Sequence, residues 1–239
     1  IEWETLRLQL TPVYEGMAAA LKGEGEAVRH VHPTNFWRNG VHVFSGVMLT
    51  LAFEHVLTWQ TMMLLAVSWV VWAWTLEITR QRSEWWNDLL MTVFGKFSRP
   101  HERYRVNSAT WYGTALLGVA LTAPNYCGVL GMLTLAVGDP AASVCGRKYG
   151  KTKIMGGKSL EGSVVFAGVA GLAGFIYLSA YYSYLSTEFR LAMGLTAGVV
   201  GAIVELISTR IEDNITIPLA VAWATMAVAW VSGIVPVAL

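Results

Sequence analysis

The sequence predicts an all-α fold, a polytopic integral membrane helix bundle with about seven transmembrane helices and amphipathic helices at the interface. Three observations predict it. Of the 239 residues, 54% are hydrophobic and 14% charged, with eleven tryptophans, a composition of membrane rather than soluble chains. Stretches approaching the roughly 20 apolar residues that a span requires fall at 41–58, 59–78, 107–124, 126–144, 160–182, 191–208 and 216–237. With the start of the first span inside, sixteen of the seventeen Lys and Arg lie on the inner side and only Arg190 lies outside, which is the retention of positive charge expected of cytoplasmic loops. The chain is therefore read as an interfacial segment, 1–35, and one transmembrane domain, 36–239, whose chemistry faces the cytoplasm.

Residues 11–22 read as a short helix. Thr11 is its N-cap, Pro12 takes the first helical position, and Val13, Met17 and Leu21 share a face suited to the inner leaflet. Glu2 and Glu4 stand where a secretory signal would be basic, so no such signal is expected. After the second span, Trp85, Trp86, Leu89, Leu90, Val93, Phe94 and Phe97 recur at helical spacing among Arg82, Glu84, Asp88 and Lys96. This is an interfacial helix, and the sequence leaves open whether its aromatic face also borders the access of a lipid. The outer links, around 54–60, 124–127 and 183–190, are short and nearly uncharged. Cys127 and Cys145 lie on one span, ~27 Å apart at the helical rise, too far for a disulfide. Gly194, Gly198 and Gly201 fit close helix packing.

The densest chemistry lies between Gly146 and Gly162, where five glycines and five cations are flanked by Asp139 and Glu161. In so apolar a chain, clustered charge is expensive unless it has a task. The residue types point to polyphosphate: glycines let backbone N–H groups approach phosphate oxygens, and cations neutralise the charge. Gly146, Arg147, Lys148, Gly150, Gly157, Lys158 and Ser159 are the candidates, while Lys151 and Lys153 fit charge retention alone. A P-loop is excluded, because its first glycine would fall at Thr152 and no βαβ unit surrounds it.

Asp139 precedes Pro140 near the end of its span, where a carboxylate needs a cation or metal beside it. Mg²⁺ takes one or two carboxylates together with substrate phosphates, and Asp139, Glu161, Glu205 and Asp213 approach the same inner surface. Glu205 and Glu212, seven apart, share a face if the helix continues between them. Arg38 and His42 share a face at the start of the first span, and Glu77 and Arg80 share one at the end of the second. His42 is open to a structural or a catalytic reading, and Glu77 and Arg80 to mutual pairing. With a formal net charge of +1, no nucleic-acid partner is expected.

Taken together, GDPAAS, GRKYGKTK, GGKSLEGS and EDNITIPL before a final apolar span resemble the CTP-dependent lipid-alcohol kinases, the family of dolichol kinase, phytol kinase and the fungal CTP-dependent diacylglycerol kinase. The likeness begins at residue 36, with Arg38 and His42 at the first span, Glu77 at the second, and Arg99, Glu102 and Asn107 before the third. It departs at Asn39, where the family commonly has Lys. Likeness to phosphatidate cytidylyltransferase stops sooner, because paired aspartates after a PGHGG segment are replaced here by Ile211, Glu212, Asp213, Asn214 and Ile215. The resemblance implies transfer of the terminal phosphate of CTP to the hydroxyl of a lipid alcohol such as a polyprenol, phytol or diacylglycerol. It implies Mg²⁺ or another divalent cation on Asp139 with Asp213, Glu161 or Glu205, and catalysis by Asp139, Glu161 and His42. Arg38 and Asn214 join the phosphate contacts, and Glu77, Glu102, Asn107 and Glu212 are further site candidates. Cytidylyl transfer is the alternative within the resemblance. A transporter of an anionic lipid is the alternative outside it, and no repeated half-structure supports that.

Overall fold

A computed structural model describes Leu10, Val13 and Met17 together with residues 36–94, 105–155, 157–208 and 211–234. The chain divides into two compact units, residues 1–36 and 37–239. In the first, Leu10, Val13 and Met17 are helical; the rest of the helix expected over 11–22 lies outside the described residues.

The second unit is built from helices: α1 (Phe36–His55), α2 (Trp59–Arg82), α3 (Glu84–Phe94), α4 (Ser108–Thr122), α5 (Asn125–Tyr149), α6 (Leu160–Tyr181), α7 (Thr187–Ile207) and α8 (Asp213–Val231). No strand occurs among the described residues, only a bridge pairing Lys153 with Ser159. Lipid offers no hydrogen bonds, so each chain segment must satisfy its backbone internally. The sequence supplies the ends. Thr58, Asn107, Ser159 and Ser186 are N-caps whose side chains accept backbone N–H groups of α2, α4, α6 and α7. Hydroxyls inside the helices turn back on their own turn: Thr50, Thr75, Thr114 and Thr225 each donate to the carbonyl four residues earlier.

Five helices, α2, α5, α6, α7 and α8, are long and apolar enough to cross a membrane. Of the other two expected spans, α4 has only 15 residues, and α1 carries Arg38, Asn39, His42, Glu54 and His55 within its 20.

The fully buried side chains Leu130, Leu135, Phe166, Leu178, Met193, Ile217 and Val221 come from α5, α6, α7 and α8, which pack on one another with α5 touching the other three. On the flank, α4 packs on α2 and α8. The close approach of α6 and α7 rests on missing side chains. A Cβ at Gly198 would stand 2.2 Å from the carbonyl oxygen of Ala167, and one at Gly194 would stand 2.7 Å from that of Gly171, as small residues permit where helices associate in lipid. At their far ends α1 and α6 are tied by Tyr177 donating to Glu54 at 2.6 Å and by a 3.0 Å bond between His55 and Tyr181.

Gly198→Ala is expected to destabilise the bundle by about 1–3 kcal/mol through overpacking. Gly168→Ala, where an added Cβ meets nothing within 4 Å, is expected to be neutral; thermal unfolding in detergent compares the two.

Candidate functional site

A cavity of about 690 Å³ lies between α1, α2, α4 and α5, with contributions from α3 and from Asn214 at the start of α8. Asn107 and Ala123, which cap opposite ends of α4, both line it, so it runs ~24 Å at the helical rise, most of a ~30 Å hydrocarbon core. Its two ends differ in kind. His42, Glu77, Arg80, Asn107, Thr110 and Asn214 gather at one; Phe53, Leu57, Met62, Val119, Ala123 and Val129 line the other, with Asn125 at the start of α5. The wall between α2 and α4 is tight, since a Cβ at Gly113 would fall 2.3 Å from the Trp69 ring. From α3 it is Leu90 and Met91 that reach the cavity, while Trp85 remains 65% exposed.

Glu77 organises the polar end. It is 4% exposed, and Arg80, one turn on, is 6% exposed and meets it at 2.6 Å. The other Glu77 oxygen accepts the Asn107 backbone N–H at 3.0 Å and the Thr110 hydroxyl at 3.4 Å. Arg80 also donates to Asn87 of α3 at 3.1 Å and to the backbone carbonyl of Arg105. A buried ion pair is tolerated only when its remaining donors and acceptors are satisfied in this way. The side-chain carbonyl of Asn107 is the α4 N-cap, accepting from Ala109 at 2.8 Å.

The glycine-rich segment is only partly a loop. Gly146, Arg147 and Lys148 belong to the last turns of α5, and Gly150 is its C-cap. The loop proper, 150–159, is closed by Leu160 N–H donating to Thr152 at 2.9 Å and by Ile154 donating to Lys158 at 2.9 Å, with Gly157 at a φ of 80° that favours glycine. Ser159, the α6 N-cap, is 4% exposed. A Cβ at Gly150 would stand 2.5 Å from its hydroxyl, and one at Gly146 3.1 Å away, so these two glycines serve first to let α5 and α6 converge. Arg147 and Lys148 are exposed, the former bonded to Ser143. Lys158 pairs with buried Glu205 of α7 at 2.8 Å and donates to the Glu205 carbonyl as well.

The acids are less gathered than their sequence positions imply. The α5 helix runs through Pro140 to Tyr149, which places Asp139 ~15 Å from the helix end rather than close to it. Glu161 accepts the Thr152 N–H with both oxygens, at 3.1 and 3.3 Å. Because α7 stops at Ile207 and α8 begins at Asp213 with Glu212 as N-cap, Glu205 and Glu212 do not share a helix face. Among the described residues no three His, Cys, Asp or Glu side chains come together to hold a metal, so Asp139, Asp213 and Glu205 are not assembled as a three-ligand set. Asn214 donates to Asp213 at 3.1 Å. Glu102, Arg99 and the Arg38 side chain lie outside the described residues.

The chain is 34% identical over 92 residues to probable phytol kinase 2, chloroplastic, of Oryza sativa subsp. japonica, covering 36% of this chain and 30% of that protein. It is 32% identical over 98 residues to probable phytol kinase 3, chloroplastic, of Glycine max, covering 38% of this chain and 31% of that one. The matched segments span about 30% of the length of these relatives. No protein-family model and no solved structure matches the chain.

Two members of the cavity's polar end, Arg80 as a shared hub and Tyr112 of α4, stand out only in three dimensions. Arg80 was legible as the partner of Glu77 by its spacing, but not as the anchor of α3. Glu77→Ala leaves the Arg80 guanidinium buried without its carboxylate and is expected to cost about 3–5 kcal/mol. Adding Arg80→Met to it is expected to recover most of that loss, and chemical unfolding in detergent measures both.

Proposed function

We propose that this protein is a membrane-embedded kinase that transfers the terminal phosphate of CTP to the hydroxyl of a lipid alcohol. Likeness to proteins named phytol kinases supports a lipid kinase. The observation that carries the reading further is the polarity of the cavity: an amphiphile with one polar end and one long apolar tail matches a ~24 Å space that is polar and charged at the Glu77 end and mostly apolar, Asn125 apart, at the other. A volume of about 690 Å³ lies within the range of single-ligand sites, ~300–1,000 Å³.

In this reading the tail lies along Phe53, Leu57 and Met62, and the hydroxyl reaches His42, Asn107 and Asn214. The start of α8 joins that place to the loop. Ser208 at the end of α7 bonds Thr216 of α8 at 2.8 Å, and Lys158 is held to the same end of α7 through Glu205. Those contacts support a reading in which phosphates seated on the 150–159 loop approach the hydroxyl through the ends of α7 and α8. An ammonium has three donors; Glu205 occupies two of those of Lys158 and aims the rest. Arg147 adds a second cation at the same end of α5 and α6. The hydroxyl oxygen bonds to the terminal phosphorus as the bridging bond to the next phosphate breaks. CDP leaves, and the hydroxyl proton passes to Asp139, Glu161 or water. Such transfer depends mainly on positioning and charge neutralisation.

Mg²⁺ suits the carboxylate oxygens present. Asp139 and Asp213 would hold it with nucleotide oxygens completing its shell, where it neutralises charge on the transferring group. The positive-inside bias supports a cytoplasmic position for this end of the bundle.

Purified protein given terminally labelled CTP, Mg²⁺ and a panel of lipid alcohols is expected to yield a labelled phospholipid monoester. Label that stays in CTP, or that appears as pyrophosphate through cytidylyl transfer, would contradict the proposal. Asp139→Ala is expected to abolish turnover while the protein stays folded, and retained activity would remove Asp139 from the site.

A further inference from the structure

Tyr112 lies one turn beyond Ser108 on α4 and lines the cavity beside His42, with 5.5 Å between the ring centroids and a tilt of 48°. Its phenol oxygen is buried and has no hydrogen-bond partner among the described residues. That is unusual, because buried hydroxyls are nearly always bonded. Other polar groups between α2 and α4 are bonded: Thr110 donates to Glu77, Thr114 donates to the Thr110 carbonyl, and Trp74 donates to Thr114 at 3.0 Å. All of these belong to the same two packed helices, so local packing does not by itself explain the orphan.

Tyr112 lines the cavity where its lining turns from apolar to polar. Among the described residues nothing meets the phenol, and a partner suited to this place brings a hydrogen-bonding group on an apolar body. We propose that Tyr112 is the anchor for the hydroxyl of the lipid alcohol, an assignment that rests on the kinase reading and adds a substrate contact to it. The chemistry suits a nucleophile. The phenol donates to one lone pair of the alcohol oxygen, leaving the second lone pair to attack phosphorus and the alcohol proton to leave toward a carboxylate. The His42 ring packed on Tyr112 limits the phenol's swing and so fixes where the hydroxyl stands relative to Asn107 and Glu77. An alkane of equal length fills the same apolar walls but finds no group at their end.

Tyr112→Phe removes one oxygen and keeps the ring, so the packing against His42 is retained. The test measures binding of tritiated octadecan-1-ol and octadecane to the full chain in lipid nanodiscs, without nucleotide. The wild type is expected to prefer the alcohol, and Tyr112→Phe to weaken alcohol binding about 10-fold, the loss of one ordinary hydrogen bond, with octadecane unchanged. In turnover, the KM for the lipid alcohol is expected to rise while that for CTP stays fixed. Unchanged alcohol binding, or an equal loss for both ligands, overturns the anchor. Failure of the kinase reading looks different: binding still discriminates between the two proteins, but no phosphorylated lipid forms in either.

Discussion

Glu77 is the constraint from which the polar end of the bundle follows. A buried carboxylate is costly unless it is fully compensated, and this one is met by Arg80, by the backbone N–H of Asn107 and by the hydroxyl of Thr110. Through Arg80 the same network reaches α3 at Asn87 and the connecting segment at Arg105. The end of α2, the start of α4 and the position of α3 are thereby set by one ion pair. Once α4 is fixed there, its first turns, with Asn107, Thr110 and Tyr112, become the polar wall of the cavity. The pair therefore contributes a defined geometry more than it contributes raw stability, in keeping with the modest net energy of buried ion pairs.

A second ion pair, Lys158 with Glu205, does for the glycine-rich loop what the first does for the cavity. It pins the loop between α5 and α6 onto the end of α7, and the bond between Ser208 and Thr216 passes that position on to α8. Since α8 packs on α4, α5 and α7 together, its first residues are the joint between the two polar regions. Asp213 and Asn214 sit at that joint, with Asn214 buried and facing the cavity.

Much of this architecture was legible because hydropathy reports directly on lipid exposure. The helix class, the helical spacing of α3 and the close packing at Gly194 and Gly198 follow from local composition. What local pattern could not carry was helix length and long-range convergence. The apolar run over 126–144 already passes Pro140, because a proline costs a helix only one hydrogen bond and a steric adjustment that packed neighbours absorb; α5 continues to Tyr149, so Asp139 lies farther from its end than that run suggests. Ser186 as an N-cap starts α7 earlier than its apolar residues suggest, and the break after Ile207 separates Glu205 from Glu212. Glycines beside cations suggest phosphate from sequence alone; Gly146 and Gly150 prove also to be needed for the approach of Ser159. His42, Glu77, Asn107 and Asn214 were each visible as polar residues at span ends, but their meeting in one cavity depends on four different helices. Tyr112 carried no signal at all, because an aromatic residue in an apolar span reads as packing.

The most direct measurement is photo-crosslinking of the protein in a bilayer with two long-chain alcohols, one bearing a diazirine beside the hydroxyl and the other bearing it at the far end of the chain. If the cavity holds the alcohol with its head at the Glu77 end, the first probe labels peptides containing His42 and the first turns of α4. The second labels those containing Phe53, Leu57 and Val119. Equal labelling of both sets by both probes, or labelling confined to the outward faces of the helices, would contradict a cavity that orients a lipid toward the loop.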